Sequence, residues 1–187
     1  RLIISFIHCL KSNNVEIIRL KKIKKKLLDR EKVFYLFALE IFSLYCEELQ
    51  SENKIDFDDM INYATYVMKK NLVALKYRYI IIDEYQDISL IRFNLIKELL
   101  QITNAKLMCV GDDYQAIYGF SGSNVSLFLN FFNYFPEGNR IDIKYTYRNS
   151  YELIKTSVKF IKKNPYRLRK NIHATFLYKN PIVLVYY

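Results

Sequence analysis

The chain of 187 residues has no tryptophan, four glycines, three prolines, three cysteines and two histidines. Each shortage excludes something. Cys9, Cys46 and Cys109 are odd in number and form no CxxC pair, so neither a disulfide framework nor a zinc site is expected, and the thiols read as buried or inert. His8 and His173 stand alone, with no metal-ligand partner at helical spacing, and read as structural. No apolar run is long enough to span a bilayer: Val33 to Cys46 is broken by Glu40. Arg1 to Leu10 is apolar, but a Lys/Asn-rich stretch follows it without a small-residue cleavage site, so no signal peptide is expected. The expectation is a soluble cytoplasmic protein. No glycine is followed by lysine, so the Gly-rich loop GxxxxGK[ST] that cradles phosphates is not in these residues.

What is present is a globular composition. Hydrophobic residues make up 51%, enough for a core and too many for disorder. Net charge is +10, which favours a polyanionic partner and most of all nucleic acid. The charge is uneven. Arg19 to Lys32 holds eight basic residues in fourteen, Lys162 to Lys170 five in nine, and Glu47 to Asp59 six acids in thirteen. Leu20, Ile23, Leu27 and Leu28 sit at helical spacing in the first basic run, which predicts an amphipathic helix with a Lys/Arg face. That face is either simply solvated or in contact with phosphates.

The most informative stretch is Tyr79-Ile80-Ile81-Ile82 followed by Asp83-Glu84-Tyr85-Gln86-Asp87. A short apolar run ending in paired acids reads as a buried parallel strand that delivers carboxylates to the carboxyl edge of a sheet, where α/β folds bind ligands. Adjacent Asp and Glu there can divide labour, one holding a metal ion and the other taking a proton from water. The plainer reading is a strand and a solvated acidic turn.

Helical spacing recurs before and after this strand. Phe34, Phe37, Ala38, Ile41, Leu44 and Tyr45 predict a helix packed by an aromatic stripe. Asp56 reads as an N-cap, with Asp59 three residues on, before Phe57, Met60, Ile61, Ala64, Val67 and Met68. Leu90, Phe93, Ile96, Leu99 and Leu100 give a further helix, and Ala105 to Val110 a second buried strand. Strand–helix–strand implies a parallel sheet. Three of the four glycines, Gly111, Gly119 and Gly122, then fall within twelve residues. A loop so punctuated lets backbone approach a ligand closely. Val125, Phe128, Leu129 and Phe132 predict a helix stopped near Pro136-Glu137-Gly138. A second unit is expected from about Ile141: a strand to Tyr145, Arg148 at its end, a capping box of Asn149 and Glu152, a helix to about Lys163, and a last strand over Pro181 to Tyr187.

Three segments, DEYQD at 83–87, GDDYQAIYGFSGS at 111–123 and TYRNS at 146–150, resemble those of UvrD/Rep-type superfamily 1 DNA helicases, in the style of the helicase IV branch. DFDDM at 56–60 resembles a short acidic–aromatic landmark upstream. DEYQD alone is moderately specific; all three in this order are highly specific, and the resemblance covers nearly the whole chain. It implies a three-layer α/β fold of the RecA-like, P-loop NTPase type. Residues 1–55 would be the end of a helical insertion, residues 56–140 a segment of the first RecA-like domain, and residues 141–187 the start of a second.

The same resemblance implies an ATP-hydrolysing motor that tracks along single-stranded DNA. Asp83 would hold Mg2+ through its water shell, and Glu84 would polarise the attacking water as general base. Gln115 would touch the γ-phosphate of ATP. Arg148 would reach it as an arginine finger. Tyr118 and Phe120 match aromatic positions along the DNA path, with core filling as their alternative. Tyr114 stands where this branch often has Trp, and Ser121 where many members have Arg, so one electrostatic contact is missing or supplied elsewhere. The missing phosphate loop would lie before residue 1 or have been lost, and the late motifs would lie after Tyr187. Three functions follow as expectations: an internal segment of an ATP-dependent helicase, a nucleic-acid-binding remnant without catalysis, or a motor that acts on transcription complexes with RNA polymerase as partner.

Overall fold

The computed structural model describes residues 1–15 and 28–178. The predicted basic helix and the predicted strand over Pro181 to Tyr187 lie outside them, Leu28 excepted. The chain divides into two compact units between Phe128 and Leu129.

The first unit opens with α1 (Leu2–Ser12), α2 (Asp29–Ser51) and α3 (Phe57–Lys69). Strand β1 (Tyr79–Ile82) follows, then a 3-10 turn over Tyr85–Asp87, α4 (Leu90–Thr103) and β2 (Lys106–Cys109). Single 3-10 turns over Asp113–Gln115 and Gly119–Ser121 lead to α5 (Val125–Leu129) at the division. Strands β1 and β2 pair in parallel, Tyr79 opposite Lys106 and Ile82 opposite Cys109. Helix α3 packs on α4, and α1 touches α2, α3 and α4.

The second unit carries α6 (Phe131–Tyr134), β3 (Tyr145–Thr146), α7 (Tyr151–Ile161) and β4 (His173–Ala174). Strands β3 and β4 also pair in parallel. The chain is therefore α/β, with two two-stranded parallel sheets among the described residues. None of the described helices is long and apolar enough to cross a membrane.

Several elements differ from the sequence reading for physical reasons. The strands are not buried on both faces: Ile80 and Ile82 are half-buried, whereas Tyr79 and Ile81 are 67% and 70% exposed. A pleated strand sends alternate side chains to opposite faces, and among the described residues only one face of β1–β2 is covered. On α2 the buried stripe is Tyr35, Ala38 and Phe42. Phe34, Phe37 and Leu44 of the expected stripe are exposed. The helix offers apolar residues on several faces, and α1 selects one of them: Leu10 packs with Tyr35 and Phe42.

Asp56 caps α3 as expected, its carboxylate accepting from the Asp59 N–H at 2.8 Å, but Phe57 and Met60 are exposed. The cap of α7 is Ser150 rather than Asn149; the Ser150 hydroxyl accepts from the Leu153 N–H. The strand expected over Ile141 to Tyr145 shortens to Tyr145–Thr146, the two residues that stand in register with His173–Ala174. Ile141 and Ile143 are left exposed.

One joint in the first unit is polar. The Lys11 ammonium, on a side chain only 7% exposed, lies 2.5 Å from Asp56 and 2.7 Å from Asp59. The Tyr45 hydroxyl donates to Asp56 at 2.9 Å. His8 pairs with the buried Asp58 at 2.7 Å, which gives this histidine the structural role expected of it.

Candidate functional site

Strand β1 ends by handing Asp83 to the carboxyl edge of the sheet. The Asp83 Oδ1 accepts the N–H of Glu84 at 2.9 Å. Glu84 itself is left-handed, at φ 50° and ψ 42°, a conformation that costs a non-glycine residue about 1 kcal/mol or more. The kink swings the chain out of the strand and into the Tyr85–Asp87 turn. Strained backbone of this kind clusters at functional sites.

Two backbone bonds hold this turn against the loop that follows β2. Val110 N–H donates to the Ile82 carbonyl at 2.8 Å, and Tyr85 N–H donates to the Val110 carbonyl at 2.9 Å. The acidic turn and the glycine loop therefore leave the sheet side by side, although 26 residues separate Gln86 from Asp112.

A side chain closes the join. Gln86 is 1% exposed. Its Nε2 donates to Glu84 Oε2 at 2.7 Å, and its Oε1 accepts the Asp112 N–H at 2.9 Å. Asp112 Oδ1 accepts from the Tyr114 N–H, and Asp112 Oδ2 accepts from Gln115 Nε2 at 2.9 Å. Gly111 makes the approach possible. A Cβ there would lie 2.6 Å from Gln86 Oε1 and 2.8 Å from Phe128 Cε2. Gly122, at φ 89°, plays a similar part further on, where its backbone passes against Ser12 at the end of α1.

An open cleft of about 230 Å3 lies along the acidic turn, lined by Asp83, Glu84, Asp87 and Arg92 among others. Burial, helped by the charge of Glu84, pushes the Asp87 carboxyl above its ordinary value of 3.8, against a hydrogen bond from Gln86. Its Oδ1 is buried without a hydrogen-bond partner among the described residues. Asp83 and Glu84 are exposed, so they meet solvent and whatever enters the cleft. An exposed carboxylate at a strand end suits Mg2+, which keeps most of its waters and takes one or two carboxylates plus substrate phosphates. No group of three or more candidate ligands occurs among the described residues, and a cation shared with phosphates does not require one.

The structure thus joins Glu84 to Gln115 through Gln86 and Asp112, to which the sequence alone assigns no role, and Gly111 leaves the room for Gln86. One signal for Gln86 was available, since it is the uncharged amide in a row with three acids. Burial decided its importance, and burial is not written in the row.

Tyr118 and Phe120 are 47% and 70% exposed, with ring centroids 6.1 Å apart. Core filling does not describe them in this chain. Arg148 belongs to the second unit, where it is exposed just past β3, with its N–H 3.3 Å from the Thr146 hydroxyl. The cysteines are consistent with inert thiols: none is exposed, and burial pushes the Cys109 thiol up to about 12.

A parallel strand pair with two chemically loaded loops at its carboxyl edge defines a class of ligand-binding α/β protein. Comparison with known proteins narrows the class. Residues 2–136 match the family described as UvrD/REP helicase N-terminal domain, and the chain belongs to that family. It is 38% identical over 127 residues to DNA helicase IV of Escherichia coli (strain K12), across 67% of this chain and 19% of that protein. It is 35% identical over 137 residues to a probable DNA helicase II homolog of Mycoplasma capricolum subsp. capricolum, across 71% of this chain and 19% of that protein. To the ATP-dependent DNA helicase Rep of Escherichia coli it is 30% identical over 155 residues, across 80% of this chain and 22% of Rep. The aligned stretch is about a fifth of each relative. Arg148 lies beyond the stretch that matches the family.

Proposed function

We propose that this chain is part of a cytoplasmic ATP-dependent DNA helicase or translocase that couples ATP hydrolysis to movement on single-stranded DNA. The observation that carries the proposal is the hydrogen bond from the Asp112 N–H to Gln86 Oε1, which ties the acidic turn to the glycine loop at one sheet edge. Family membership and the names of the relatives, several of them ATP-dependent DNA helicases, support it.

In this reading β1 and β2 belong to a three-layer RecA-like sheet. Residues 1–55 end a helical insertion, residues 56–140 form a first-domain segment, and residues 141–187 begin a second domain. Asp83 is the carboxylate for Mg2+, which when bound would neutralise developing charge on the phosphates. Glu84 accepts a proton from the attacking water. Gln115 contacts the γ-phosphate, and Arg148 supplies positive charge to it. Phosphoryl transfer needs little covalent help and depends on charge and water being placed accurately. Tyr118 and Phe120 offer exposed rings on which bases of any sequence can stack.

The test is Glu84→Gln in the longest gene product that contains this chain. ATP hydrolysis is expected to fall by about 10²–10⁴, while binding to single-stranded DNA survives. Unchanged turnover would refute the role of Glu84. A second reading is nucleic-acid binding without catalysis. The charge of +10 and the exposed ring pair favour it independently of any chemistry at Glu84. It requires the unmutated gene product to bind single-stranded DNA and hydrolyse no ATP.

A further inference from the structure

Glu84 is exposed, and a glutamate on a surface turn samples many rotamers unless a fixed donor selects one. Gln86 is such a donor. It is buried at 1% exposure, and both ends of its amide are paired, as a buried amide requires. The assignment of its ends follows from the partners: Nε2 faces the Glu84 carboxylate, and Oε1 faces a backbone N–H. Reversing the amide would set oxygen against carboxylate and N–H against N–H.

The path continues beyond Gln86. Asp112, whose N–H it holds, accepts from Gln115 through Oδ2. A continuous line of hydrogen bonds therefore runs from Glu84 through Gln86 and Asp112 to Gln115. Gly111 keeps the line closed, since any side chain there would meet Gln86 Oε1.

We propose that Gln86 is a positioning residue: it aims the Glu84 carboxylate at the attacking water and makes that aim depend on where the Gln115 loop lies. The inference rests on the roles proposed above for Glu84 and Gln115. Gln86 is buried and acts indirectly. It acts by fixing one rotamer of Glu84 and one position of the Asp112 backbone, so displacement of Gln115 shifts the acceptor end of the same amide.

The test is steady-state ATP hydrolysis by the longest gene product that contains this chain. Gln86→Glu keeps the size of the side chain and its acceptor for the Asp112 N–H but cannot donate to Glu84. Its kcat is expected to fall about 10²-fold, the typical cost of a misplaced catalytic group, with KM for ATP within about twofold, since uniform binding is untouched. Gln86→Met, which removes every hydrogen bond of the amide, is expected to behave alike. Combined with Gln115→Ala it should lose less than the sum of the two single losses, because residues that share one hydrogen-bond line are not additive.

Folded Gln86 variants with the parent kcat would overturn the positioning role. So would losses that simply add to those of Gln115→Ala, and so would failure of both Gln86 variants to fold, which would mark Gln86 as structural. Glu84→Gln separates the two levels. If that variant turns over normally, or the unmutated protein hydrolyses no ATP, the proposed function falls and this inference with it. If Glu84→Gln collapses while the Gln86 variants turn over normally, only the positioning role falls.

Discussion

Gly111 and Glu84 are opposite cases of backbone constraint. Gly111 is needed for the space its missing side chain leaves over Gln86, whereas Glu84 holds a left-handed conformation that glycine would adopt more easily. The contrast makes Gly111 the better residue for a stability test. Gly111→Ala places a Cβ against Gln86 Oε1 and Phe128 and is expected to destabilise the chain by about 1–3 kcal/mol, measured by urea unfolding. A change below a few tenths would mean that the two loops part without cost. The exposed ring pair makes a separate prediction. Tyr118→Ala and Phe120→Ala should each weaken binding to single-stranded DNA by about 1–3 kcal/mol, with thermal stability held because neither ring is buried. Equal affinity of the variants and the parent in a fluorescence titration would remove both residues from the DNA path.

Lys11 of α1 is paired with Asp56 and Asp59 at the start of α3, and the pH behaviour of this joint follows. Burial pushes the Asp56 carboxyl up, but hydrogen bonds from Lys11, the Asp59 backbone and Tyr45 outweigh it, and the carboxyl ends below its ordinary 3.8. A carboxyl depressed by folding lends stability that is complete above the unfolded value and drains away as pH falls through the folded one. Burial pushes Lys11 down, yet the hydrogen bonds and charges of Asp56 and Asp59 leave it above 10.5. Its contribution is complete below 10.5 and is lost as pH rises through the folded value. The joint is therefore expected to hold from just above 3.8 to about 10.5 and to weaken outside that window. Lys11→Met leaves two carboxylates without their cation. The expected loss is about 2 kcal/mol, short of the 3–5 of a fully buried pair, since the Asp56 and Asp59 side chains are 23% and 32% exposed. Urea unfolding at neutral pH and near pH 3 checks both statements. In the variant the acid-dependent fall should shrink, and a fall of undiminished size would place its origin elsewhere.

Among the described residues, burial is concentrated away from the open face of the sheet. Ile91 on α4 is 1% exposed and Ile81 on β1 is 70% exposed. Ile91→Ala is expected to cost about 2–5 kcal/mol and Ile81→Ala less than about 0.5, both read from unfolding midpoints of this chain. Equal losses at the two positions would show that the outer sheet face is covered in solution. The charge of +10 acts at the same scale. If the chain contacts phosphates, the logarithm of its affinity for single-stranded DNA should fall linearly with the logarithm of salt concentration.

The sequence by itself determined the local chemistry: the acids at the strand end, the Asp56 cap, the parallel pairing implied by strand–helix–strand, and the order of motifs that carries the family. Each depends on neighbours within a few residues or on spacing along the chain, and a row of letters records both. It misjudged the burial of β1 and the packed stripe of α2, because which face of an element is covered depends on what else arrives there. It was silent on Gln86, whose partners are Glu84 two residues back and Asp112 26 residues on. Only the tertiary structure decided that the acidic turn and the glycine loop share one buried amide. Backbone pairing at the edge of β1 and β2 brings these distant loops together and buries Gln86 between them.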